Sequence, residues 1–143
     1  MNKLFIIIFT FSFFATNCYR QKASNPKTEK VFLDDSDNTK NCYTIIYPSK
    51  LPWTGYIFLI PGFGETAENV LLQTDLPNKL AINGICTIIP TFQDGVLSFG
   101  VDSLSQQTFD KILKDVTSKH KLIGHKFYIG GFSAITLGFL SFA

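Results

Sequence analysis

The sequence predicts an α/β fold, a mostly parallel sheet with flanking helices. Three observations carry that expectation. Short, almost uninterrupted apolar runs recur as YIFLIP, ICTIIP and HKFYIGG, the texture of strands covered on both faces. Between the last two of them, Phe109, Ile112, Leu113 and Val116 fall at i, i+3, i+4 and i+7, which puts one apolar stripe of a helix against a sheet. Strand and helix then alternate along the chain, the order that builds a sheet with helices on its faces.

The chain has 143 residues, 45% apolar and 17% charged, enough apolar content for one folded domain and too much for a disordered one. The formal charge is +2 and the lysines are scattered. No basic stripe marks a nucleic-acid groove. Three dispersed cysteines and two histidines give no metal-ligand spacing, and no cofactor motif is present.

Residues 1–17 read as an export signal. Lys3 precedes an apolar run from Leu4 to Ala15, shorter than the roughly 20 residues that span a bilayer. Arg20 and Lys22 leave an uncleaved anchor as the alternative. Cys18 stands where the run ends, and Ala15-Thr16-Asn17-Cys18 resembles a bacterial lipobox, with Asn17 where a small residue is expected. That resemblance implies a lipid on Cys18 and a periplasmic or outer-membrane lipoprotein; simple secretion is the other outcome. Cys42 and Cys86 are left either to pair in an oxidising compartment or to stay as buried thiols.

Residues 18–41 form a polar leader or tether, with Val31 to Leu33 a short edge strand. From Cys42 to Ala143 the texture is that of the folded domain. CYTIIYP is a strand ending at Pro48. Beyond YIFLIP, the run PGFGETAEN turns the chain into a helix over Thr66 to Leu72. A second short helix starts near Asp75 and Pro77, with Asp75 its cap, and stops at Asn83-Gly84. After ICTIIP comes a glycine-containing loop with Asp94 and Asp102, the latter a candidate cap. The helix around Phe109 closes at Lys119 and His120, which suit the dipole of a C-terminal turn.

The chemistry concentrates in YIGGFSAITLGF. A serine just past a buried strand and before a helix is thrown above the sheet when the turn is tight, and small residues must flank it. Gly131 satisfies this two positions before Ser133; Ile135 stands two after. The N–H of Ala134 opens the following helix and is a natural oxyanion donor. A second donor belongs to the loop after an earlier strand, where Gly62 and Gly64 allow close backbone approach. Phe63 N–H is the candidate there, with Gly64 next. The plain alternative for Ser133 is a helix N-cap, and for Glu65 a complement to the first-turn dipole.

IPGFGETAEN together with YIGGFSA resembles the N-terminal portion of an α/β-hydrolase of the secreted serine esterase and peptidase-like kind. The resemblance covers Cys42 to Ala143. It implies Ser133 as nucleophile and the amides of Phe63 and Ala134 as oxyanion hole, acting on a small carboxylic ester or amide through an acyl-enzyme. Pro61 stands where the family often has histidine, and Ile135 where it has glycine. Family members carry their acid and histidine after the nucleophile. ITLGFLSFA contains neither, so the chain is expected to be truncated after the nucleophile elbow and inactive alone. The alternative is a non-catalytic envelope lipoprotein or partner-binding module. His120 and His125 precede Ser133 and read as solvated or capping residues. Trp53 is either a stacking residue or a partly covered edge aromatic.

Overall fold

A computed structural model describes residues 25–33, 41–50, 52–92 and 103–132. The export signal, Cys18, Asp94, Asp102, Ser133 and Ala134 lie outside the described residues.

The chain runs β1 (Lys27–Phe32), β2 (Cys42–Tyr47), β3 (Gly55–Ile60), α1 (Ala67–Gln73), α2 (Leu76–Ile82), β4 (Ile85–Thr91), α3 (Ser103–Lys119) and β5 (Lys126–Gly131). The strands form one five-stranded sheet ordered β1-β2-β4-β3-β5. Its pairing is mixed, which corrects the mostly parallel expectation. β2 runs antiparallel to both β1 and β4, while β3 is parallel to β4 and to β5. Direction was hidden because CYTIIY is buried on both faces, and an unbroken apolar run looks alike in either orientation.

Alternation along each strand sorts side chains into two layers. Tyr43, Ile45, Tyr56, Phe58, Ile60, Cys86 and Ile88 face α3 and pack with its Phe109, Ile112 and Val116. Ile46, Leu59 and Ile89 face the other way, onto Ala67 and Val70 of α1 and Ala81 of α2. The stripe expected on α3 is thus the seam between helix and sheet. Burying each such aliphatic side chain contributes about 1.5–3 kcal/mol. Asp115 completes the α3 seam: Tyr43 donates to its carboxylate at 2.7 Å and Lys119 pairs with it at 2.9 Å.

β1 begins at Lys27, four residues before the short edge strand expected over Val31 to Leu33. Lys27 to Lys30 are all exposed. A one-sided edge strand of charged residues carries no apolar signal, so its first half looked like tether. Cys42 and Cys86 are both buried and free. Cys42 sits opposite Thr91, five residues along β4 from Cys86, and the two thiols fall on opposite faces of the sheet. They do not pair.

α1 is capped by Thr66, whose hydroxyl accepts from Asn69 N–H while Asn69 Oδ1 accepts from Thr66 N–H, a reciprocal capping box. Asp75 precedes α2 but its side chain caps no backbone group. It holds the expected N-cap position, but its carboxylate accepts from Asn78 Nδ2 at 2.9 Å instead. α2 stops at Asn83 with Gly84 at φ +85, where glycine alone is at ease.

Candidate functional site

The site is built at the end of the sheet where β3 and β5 finish. They lie side by side and parallel, with Ile60 level with Gly131. Neighbouring strands are about 4.8 Å apart. The loop leaving β3 therefore starts next to the segment leaving β5, whose described part ends at Phe132, one residue short of Ser133. Ser133 and Ala134 themselves are not described.

The loop after β3 is held tightly. Glu65 N–H donates to Gly62 C=O at 3.0 Å, closing a turn with Phe63 and Gly64 at its corners. Gly64 sits at φ +71, the positive value that the third residue of a type II turn needs. Phe63 is at the tip, its ring 70% exposed. Its N–H meets no acceptor among the described residues.

Glu65 has a different role from the one expected. It lies before the Thr66 cap, outside the first turn of α1, and its carboxylate folds back into the loop. One oxygen accepts from Gly62 N–H at 2.8 Å and the other from Gln73 Nε2 at 2.7 Å. These donors, Gln73 first and Gly62 second, lower the carboxyl pKa below its ordinary value, as hydrogen bonds to a charged form do. Glu65 is thus a latch joining the loop to the last turn of α1. Gly62 is glycine for the same reason: a Cβ there would sit 2.7 Å from Glu65 Oε2. The sequence carries no signal for this latch, because the spacing of eight between Glu65 and Gln73 matches no standard periodicity.

Both histidines are at the other end of the sheet. His125 immediately precedes β5. Six residues at about 3.3 Å each separate that end of the strand from the end that leads to Ser133, about 20 Å. His120 follows α3 and is half-buried, not solvated: its ring packs on Trp53 at 5.4 Å and Tyr47 at 6.0 Å. Burial pushes its pKa down. Trp53, expected as a partly covered edge aromatic, is 8% exposed and belongs to the α3-side core. Both histidines thus lie at the end of β5 away from Phe132. Among the described residues no group of His, Cys, Asp and Glu is arranged to hold a metal.

No protein-family model matches the chain, and no curated protein matches it in sequence. Solved structures do resemble it. The substrate-bound fluorophosphonate-binding serine hydrolase F of Staphylococcus aureus aligns with a TM-score of 0.54 at 12% identity, over 78% of this chain and 49% of that one. Dienelactone hydrolase from Anabaena variabilis aligns with a TM-score of 0.55 at 16% identity, over 77% of this chain and 53% of that one. The chain thus spans about half the length of these proteins. What they share with it is an α/β fold.

Proposed function

We propose that this chain is the nucleophile-bearing part of a serine hydrolase that cleaves a small carboxylic ester or amide through an acyl-enzyme. The observation that carries the reading is the register of β3 and β5. It sets the tight, glycine-containing loop of Phe63 beside the strand that runs into Gly-Gly-Phe-Ser, on a hydrolase-like fold.

In this reading Ser133 Oγ attacks the carbonyl carbon while its proton passes to a base. The carbonyl π electrons move onto oxygen, and the N–H groups of Phe63 and Ala134 stabilise the oxyanion. The tetrahedral species collapses, the C–O or C–N bond breaks, and the leaving group takes the proton. Water then repeats the sequence on the acyl-serine and returns the hydroxyl. Because His120 and His125 sit at the far end, this reading takes its base from outside residues 1–143. Export by residues 1–17, with a lipid on Cys18 tying the protein to a bacterial membrane, completes the proposal.

The test is labelling of the full-length gene product with a fluorophosphonate probe, beside hydrolysis of a p-nitrophenyl ester. Labelling at Ser133 and loss of both signals in Ser133→Ala are expected. A folded, full-length protein that takes no label overturns the reading. It would favour the second one, a non-catalytic binding module, which the remote histidines support for residues 1–143 alone. Radiolabelled palmitate should enter the wild type and not Cys18→Ser.

A further inference from the structure

At the end of the sheet opposite the Phe63 loop lies a cavity of about 240 Å³ lined by Pro52, Trp53, His120, Lys121, Leu122 and His125. We propose that it is a binding site for a small aromatic carboxylate, independent of the serine hydrolase reading.

Its apolar side is rigid. Trp53 is held between core contacts and the rings of Tyr47 and His120, each 5.4 Å away, and Leu122 is 1% exposed. Such a wall accepts a flat ring by stacking without reorganising. The indole N–H of Trp53 is buried and has no acceptor among the described residues, unusual for a buried tryptophan. The polar lining is Lys121 and His125, both exposed, and His120, whose pKa burial pushes down, and no carboxylate is among the described residues that line the cavity. The acids nearest His120 are already engaged. Asp115 takes Tyr43 and Lys119, and Glu29 takes Tyr47. Among the described lining residues an anion therefore meets the Lys121 ammonium and no carboxylate.

Lys121 supplies the second observation. The helix α3 ends with Leu122 N–H donating to Thr117 C=O at 3.0 Å and His120 N–H to Val116 C=O at 3.0 Å. In this termination the residue before Leu122 adopts the left-handed conformation that favours glycine. Lys121 occupies it at φ 53. An ammonium is therefore held at the cavity rim at a backbone position that disfavours any side chain.

Trp53 is the only tryptophan in the sequence, so its fluorescence, excited at the red edge of the indole band, and its indole N–H resonance report on this cavity alone. Titrating benzoate into the full chain should move both signals saturably, with half-saturation at about 1 mM. Benzamide, of the same shape but neutral, should bind about tenfold more weakly. Lys121→Gly removes the ammonium while easing the backbone, so it folds at least as well. It should weaken benzoate several-fold and leave benzamide unchanged. His125→Gln should act in the same direction. No saturable change with benzoate overturns the proposal, as does equal binding of benzoate and benzamide or an unaltered benzoate curve in Lys121→Gly.

Discussion

The two outer strands of the sheet are built on opposite principles. β1 has one neighbour, β2, and carries Lys27, Thr28, Glu29 and Lys30 in a row, all exposed. Lys30 reaches Glu68 at 3.2 Å. Charge on an outer strand discourages pairing with another chain. β5 pairs with β3 on one side only among the described strands, yet after Lys126 it runs Phe127, Tyr128 and Ile129 before its two glycines. Phe127 and Tyr128 are 38% and 46% exposed, and Phe132 just beyond is 45% exposed. β1 is composed as an edge, and β5 as the interior of a wider sheet. Position in a sheet is written in side-chain chemistry as well as in pairing.

That contrast can be broken from the centre outward. Phe58 packs at 4.8 Å on Phe109 and 5.7 Å on Phe127, linking the core to β5. Phe58→Ala should cost about 3–5 kcal/mol in chemical denaturation; a loss below 1 kcal/mol, on the order of a surface change, would show that β5 is not tied through it. Gly55 is tighter than its size suggests, because a Cβ there would stand 2.9 Å from the backbone oxygen of Lys126. Gly55→Ala should separate the starts of β3 and β5 and cost about 1–3 kcal/mol. Amide exchange should quicken in β5 and not in β1, and equal protection in both edges would contradict the contact.

The next test concerns pH. Burial lowers the His120 pKa from 6.5 in the folded chain, so the unfolded state binds the proton more tightly. The sign is fixed by that difference: stability falls as pH drops below 6.5 and levels off beneath the folded pKa. His120→Phe should flatten this part of the stability profile, and an identical slope in the variant would sink the assignment. The smallest effect on stability belongs to Tyr128→Lys, expected within about 0.5 kcal/mol of wild type. It should nevertheless make β5 resemble β1 and suppress concentration-dependent association in light scattering. Unchanged scattering would mean that the β5 edge is not the adhesive one.

Much of this architecture was legible in the sequence. CYTIIY, YIFLI and ICTIIP each declared a buried strand because helices cover both their faces, and the stripe on α3 declared its seam. Thr66 and Gly84 announced a helix start and a helix stop through well-known local chemistry. Strand direction was not legible, since pairing is a property of distant residues. The beginning of β1 was hidden by its charge. At the candidate site, the glycines and Phe63 stood out from the loop's punctuation. Glu65 was misjudged because its partners are a backbone N–H and Gln73, neither of which leaves a pattern. His120 was misjudged because its burial depends on Trp53 and Tyr47, brought near by the folded sheet.

The Glu65 latch makes two positions behave as one. Glu65 Oε2, which a methyl group at position 62 would displace, is the tip of a flexible side chain and not backbone. Gly62→Ala would therefore leave the fold intact and simply eject the carboxylate from its seat. Its consequence for the Phe63 loop should match that of Glu65→Ala, and combining the two changes should add little to either alone. For anyone reshaping this loop, Gly62 and Glu65 are one design variable.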